Sequence, residues 1–322
     1  MRALKQTAGR FAIVLAMVAV ALSAGAGCSD DFEPYSRLSS LRVLGIAGDP
    51  AAPATGETTT LSALVFTPTD EPVTYAWSWC PVPGPSRGGY QCLITEAEAN
   101  GLLGGGVPPY DLGKDSTATF TNSLPPAFLK QACTPNPQNP IVFNCSKGFP
   151  VQIKVVVTTP SKPEGIVAVK TLNLRFDAAT PANGNPKLGG LIATIAGVEV
   201  AITDDSDPTV TLPRSAETEI KVGLLPEEAE LYTLPPDPKQ IREYLLLSWF
   251  VESGDIDNAR TAYQFNAELK ETVPIDRART NKWKPGKLAD YPGQLARIVV
   301  VVRDGREGVS LVRGRVRLGD VQ

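Results

Sequence analysis

Cys80, Cys92, Cys133 and Cys145 are the residues whose type and spacing promise chemistry most directly in this 322-residue chain. An even set of cysteines reads as a disulfide framework, which forms and persists in oxidising compartments. Cys80 to Cys92 and Cys133 to Cys145 are both twelve apart, which favours two local bridges. The alternative is Cys80 with Cys145 and Cys92 with Cys133. Zinc would need CxxC pairs or histidines, and the sequence has neither. The absence of histidine also removes Ser-His-Asp and Cys-His nucleophile systems from the chain. No G-x-S-x-G, S-x-x-K or phosphate-loop pattern occurs. A hydrolase working through two carboxylates is open on composition, but no pair of acids is marked out for it.

Oxygen-rich segments offer cation chemistry, because calcium takes carboxylate and carbonyl ligands. Asp204-Asp205-Ser206-Asp207 and the stretch from Glu252 to Asn258 are the candidates, and Asp255, Asp257 and Asn258 form the better set by alternation. Solvated turns use the same residues. Among the tryptophans, Trp79 and Trp249 sit mid-strand and are expected in the core, whereas Trp283, between Lys282 and Lys284, is the candidate for an exposed contact residue. Arg313, Arg315 and Arg317 alternate along the last strand and make one basic face, read either as a solvated sheet face or as a docking surface.

The N-terminus has three zones. Arg2, Lys5 and Arg10 form a basic region, Phe11 to Leu22 is an unbroken apolar run, and Ser23-Ala24-Gly25-Ala26-Gly27 leads into Cys28. The apolar run is too short for a bilayer span and suits the core of a secretory signal. The small residues before Cys28 resemble the lipobox of bacterial lipoproteins, with Gly25 standing where leucine is usual. The resemblance implies cleavage after Gly27 and a diacylglyceryl group on Cys28, anchoring the chain to the membrane without spanning it. Ser29 after the lipidated cysteine favours the outer membrane where enterobacterial-type sorting applies. The formal net charge is −3, and the signal carries three basic residues and no acid, so the mature chain is more acidic still. Nucleic acid is excluded as a partner, since its binders carry a basic patch or stripe.

The elements that must position these residues are strands. Short β-branched runs recur between proline and glycine, and helical periodicity is nearly absent from the mature chain. In the first half these are Leu41–Ile46, Thr60–Phe66, Val73–Cys80, then Val151–Thr158 and Ile166–Phe176 as a hairpin. Val73, Tyr75, Trp77 and Trp79 share one face by period two. The second half repeats the order with Glu217–Leu224, Tyr244–Phe250 and a closing hairpin of Arg297–Arg303 and Val309–Leu318, and both middle strands contain Ser-Trp. Residues 81–150 are irregular, with short helices expected at Thr95–Glu98 and Pro126–Ala132 and an edge strand at Asp115–Thr121.

A tryptophan on a central strand followed by a closing hairpin resembles immunoglobulin-like domains. The resemblance implies an all-β chain of two tandem immunoglobulin-like β-sandwiches. Its division is signal 1–27, lipidated tether 28–39, first domain 40–178 with a disulfide-stapled insertion at 81–150, linker 179–185 and second domain 186–322. In such a sandwich the third and sixth strands are neighbours, which is the geometric case for Cys80 reaching Cys145. Through VTYAWSWCP and LLLSWFVESG the chain resembles Gram-negative envelope lipoproteins with tandem domains of this kind. The expected function is a noncatalytic adhesion or assembly module that binds an envelope protein or glycan through its loops, without a cofactor.

Overall fold

The computed structural model describes residues 33–319 apart from 104, 135–142, 178, 215, 235–236, 264, 267–270, 273 and 287–293. The signal segment and Cys28 lie outside the described residues. All the strands and helices belong to one unit, Ser36–Gln322.

Alternating apolar residues turn the first half into seven strands: β1 (Arg42–Asp49), β2 (Thr58–Phe66), β3 (Thr74–Cys80), β4 (Asp111–Gly113), β5 (Thr117–Thr121), β6 (Phe149–Thr159) and β7 (Lys162–Leu174). They form two sheets, ordered β1-β2-β5 and β4-β3-β6-β7. Trp77, Trp79, Phe120, Ile153, Val155 and Leu172 fill the core between them. Strands β4 and β5 come from inside the segment 81–150 and complete one sheet each. Two excursions remain. The first carries helix α1 (Glu96–Leu103), capped reciprocally by Thr95 and Glu98: the Thr95 N–H donates to Glu98 Oε2 at 2.7 Å and the Glu98 N–H to Thr95 Oγ1 at 3.2 Å. The second carries α2 (Pro126–Ala132).

The bridges are local, Cys80–Cys92 and Cys133–Cys145, one for each excursion. Strands β3 and β6 are neighbours as the sandwich requires, but their register sets Cys80 opposite Gln152. Cys145 precedes β6 altogether, so the crossed pairing has no geometry to form.

The second half contains β8 (Leu191–Ile195), β9 (Val198–Ile202), β10 (Thr211–Pro213) and β11 (Thr218–Val222), then a separate ribbon of β12 (Leu231–Leu234) and β13 (Asp237–Arg242). After it come β14 (Leu245–Val251), β15 (Asp255–Ile256), β16 (Arg260–Tyr263), the short pair β17 (Phe265–Asn266) and β18 (Glu271–Thr272), α3 (Ile275–Arg279), β19 (Thr280–Lys284), β20 (Leu295–Asp304) and β21 (Val309–Gly319). The sheets are β10-β21-β20-β14-β16 and β15-β19-β11-β8-β9. Between them Leu191, Ile220, Leu247, Trp249, Trp283 and Val300 form the second core. Corresponding strands pair alike in the two halves, with β3-β6-β7 matching β14-β20-β21 and β1-β2-β5 matching β8-β11-β19. The fold is therefore all-β, two immunoglobulin-like sandwiches of which the first carries the disulfide-stapled excursions.

A third cluster joins them. Leu44 and Phe66 of the first sandwich meet Phe250, Val299, Val301 and Val309 of the second, with Leu38 packed among them. The outer face of β1-β2 thus lies on the outer face of β14-β20-β21, and four sheets stack in order. Gly45 suits this contact, because a Cβ there would sit 3.3 Å from Val309 Cγ1. Ser36 to Leu38 runs beside β14: the Val251 N–H donates to Ser36 O and the Leu38 N–H to Val251 O, both at 2.8 Å.

Candidate functional site

Polar side chains reach backbone carbonyls across the junction around this third cluster. Arg303 donates to Leu44 O, and Lys147 Nζ donates to Gly305 O at 2.5 Å. Lys170 Nζ donates to Glu307 O, and Asn185 Nδ2 to Gly48 O at 2.8 Å. Arg297, from β20, donates to Thr67 O at 2.9 Å and to Asp70 Oδ1 at 2.9 Å, and lies 4.4 Å over the Phe66 ring. A cation over an aromatic face adds about 0.5–2 kcal/mol according to its desolvation.

The turn between β20 and β21 is the hub of the junction. Asp304 Oδ1 accepts from the N–H groups of Arg306 and Gly308, each at 2.7 Å. Arg306 is almost wholly buried; its guanidinium donates to Glu243, to Ala182 O and to Glu230 Oε2 at 2.5 Å, and covers the Tyr232 ring at 4.4 Å. Its planar fork satisfies several acceptors at once, as a lysine could not. Burial raises the Glu243 carboxyl to about 7, with Asp304 adding to the rise and Arg306 opposing it. Burial lowers Lys170 to about 8, and Glu307 and Asp304 resist the fall. Such shifts often mark catalytic groups. Here each group is held by a structural partner, and neither lines the open groove beside the junction.

That groove runs between the outer faces of β2 and β21. One end, about 260 Å³, is aliphatic and lined by Ala47, Ala63, Leu64 and Leu311. The other, about 200 Å³, is lined by Phe66, Asp70, Asp204, Arg297, Arg313 and Arg315. Leu64 and Arg313 belong to both. Arg313 pairs with Asp204 at 2.5 Å and Arg297 with Asp70 and Glu252. Arg315 has no acidic partner among the described residues, and its Nε lacks an acceptor. The chemistry available is apolar contact at one end and recognition of an anion at the other.

The basic row read from the sequence thus belongs to the groove at Arg313 and Arg315, while Arg317 pairs with Asp207. The same loop accounts for the first acidic cluster, whose Asp204 and Asp207 are arginine partners and not free cation ligands. The second calcium set is not brought together. Asp255 faces Arg37 at 3.7 Å, while Asp257 and Asn258 line a shallow hollow with Lys221, Arg277 and Lys282. Among the described residues no three acidic, histidine or cysteine groups converge as a metal site. Trp79 and Trp249 are core residues as expected, with indole N–H groups donating to Pro109 O at 2.9 Å and Thr261 Oγ1 at 2.8 Å. Trp283 is a correction: it is fully buried and donates to Ser253 O at 2.7 Å. Lys282 and Lys284 are its exposed strand neighbours, so their charge reports the opposite face of β19. Leu64, Leu311 and the junction at Arg306 are not singled out by the sequence; their signal is an apolar residue on the polar side of a strand and an arginine inside a turn.

No known protein family matches the chain, and no curated protein does. Among solved structures it is similar to murine CEACAM1b, at 9% identity and a TM-score of 0.21, covering 86% of this chain and 99% of that one. The three N-terminal domains of the bacteriophage RB49 highly immunogenic outer capsid protein give 9% identity and a TM-score of 0.21, covering 88% and 100%. A Bacteroides ovatus protein of a mixed-linkage glucan utilization locus, SGBP-B, gives 10% identity and 0.19, covering 88% and 71%. Scores this low carry no argument about function, which has to come from the groove and its chemistry.

Proposed function

We propose that the chain is a noncatalytic, lipid-anchored module of the bacterial envelope that binds a partner through the groove between its two sandwiches. The observation that carries the reading is the groove itself, aliphatic at Leu64 and Leu311 and cationic at Arg315, opening beside a junction fastened by part-buried hydrogen bonds. The groove residues lie along two sheets that are held together, which supports the reading because a preorganised surface binds at lower ordering cost. Two disulfides support an extracytoplasmic location. Cys28 supplies the anchor in this reading, with the outer membrane as destination.

Two experiments test it. A photocrosslinking amino acid at Leu311, in the groove, should give specific adducts in intact envelopes, and one at Glu219, on the far sheet, should not; equal adducts from both positions would refute the groove. For the anchor, Cys28→Ala should abolish palmitate labelling, and unchanged labelling would refute lipidation there.

A further inference from the structure

Strand β21 leaves part of its edge uncovered within the groove. Its pairing with β20 runs from Leu295 opposite Arg317 to Arg303 opposite Val309 without a register shift. On the other edge, the Arg315 N–H donates to Thr203 O and the Arg317 N–H to Val210 O, each at 2.8 Å, and the Val309 N–H donates to Asn185 Oδ1 at 2.9 Å. Backbone groups alternate in direction along an antiparallel strand, so the Leu311 and Arg313 N–H groups point off the same edge. Among the described residues nothing accepts them. A window is thus left between two protected ends, with the aliphatic pocket beside Leu311 and Arg315 beyond Arg313.

We infer that the edge of β21 at Leu311 and Arg313 is a strand-addition site for an extended partner segment carrying an aliphatic residue and an acidic one two positions apart. Strand addition draws affinity from main-chain hydrogen bonds and specificity from pockets for alternate side chains. The spacing follows from the period of two: one side chain beside Leu311 enters the aliphatic pocket, and the next on that face lies beside Arg313, within reach of Arg315. Charge complementarity selects the partner. A second copy of this strand would set arginine rows against one another, and like charges across strands repel. A sugar chain would call for an exposed aromatic platform, whereas Phe66 is buried under Arg297. The inference rests on the binding reading above and names its partner class.

The test uses the full chain in detergent and a fluorescent heptapeptide, Thr-Glu-Thr-Val-Thr-Glu-Thr with blocked ends, whose symmetry serves either strand direction. A lysine-for-glutamate version is the control. The acidic peptide should bind at least tenfold more tightly than the control and slow amide exchange at Leu311 and Arg313 at least tenfold. Arg315→Glu, with an unchanged melting temperature, should reverse the preference between the peptides. Equal binding of the two peptides, or unaltered exchange at both amides, would overturn the inference. So would protection of those amides by trigalacturonate without protection by the acidic peptide, or burial of the edge in a dimer seen by sedimentation. Crosslinks from Leu311 in envelopes without peptide binding would overturn the partner class and leave the binding reading standing.

Discussion

Glu243 and Lys170 hold opposite charges near one turn, and their acidities are displaced in opposite senses. Glu243, raised from 4.5 to about 7 chiefly by burial, binds its proton more tightly folded than unfolded. Its contribution to stability is present in full below about pH 4.5 and is lost as the pH rises through 7. Lys170, lowered from 10.5 to about 8, releases its proton more readily when folded, so its penalty is complete below 8 and fades toward 10.5. The chain has no histidine to obscure the window between pH 5 and 8. Urea unfolding should therefore show stability falling by on the order of 2 kcal/mol from pH 5 to 8, and Glu243→Gln should flatten that slope. A slope unchanged in the variant would place the titration elsewhere. Trp283 makes a second residue-scale prediction. Trp283→Ala should cost about 3–5 kcal/mol in the same assay, as for a core aromatic; a change within 0.5 kcal/mol would mean a surface residue. Trp79 and Trp249 were legible because each lies in an apolar run. Trp283 was not, because its sequence neighbours are lysines and adjacent residues on a strand face opposite ways.

Strands with one wet face are easy to read, and those with two dry faces are easy to undervalue. β11 alternates Thr218, Ile220 and Val222 inward against exposed or half-exposed Glu219 and Lys221, and its place in the sheet follows. Ile298–Val302 is an unbroken apolar run, buried throughout. Runs of that kind belong to strands covered on both sides, so the second covering layer was written there, and Leu64 and Phe66 in β2 are its counterpart. The groove edge was less legible still, since Leu311 and Arg313 acquire meaning only once Thr203, Val210 and Asn185 are placed. Each excursion of the first sandwich is held by its bridge and by an anchor in the core, Ala99 from α1 and Leu129 from α2. Cys133→Ser with Cys145→Ser should lower stability by about 3 kcal/mol, by loop closure over a short segment. It should also expose the chain at Phe143 to Ser146 to limited proteolysis; protease resistance there equal to the parent would show that the packing of Phe143 alone holds it.

Across the whole molecule, the third cluster decides whether two sandwiches behave as two bodies or one. Val301 is buried there, on the outer face of β20, whereas Val300 and Val302 point into the second core. Val301→Asp places a charge in the contact without touching either core, and an unpaired buried charge is not tolerated. Calorimetry should show one unfolding transition for the parent and two for the variant, each sandwich melting separately. A single transition in the variant would mean that the polar fastening at Lys147, Lys170 and Asn185 suffices alone.

The stitching of Ser36–Leu38 to Val251 has a mechanical consequence. A pull arriving from the N-terminal side meets β14 before it meets β1, so load enters the second sandwich directly. Because the segment lies parallel to β14, the two hydrogen bonds between them are loaded lengthwise, in shear, and must yield together. A partner held on β21 lies in the same sheet, two strands away from β14. In the proposed anchored state, tension between Cys28 and a partner on β21 would then cross one five-stranded sheet and leave the disulfide-stapled sandwich outside the line of force.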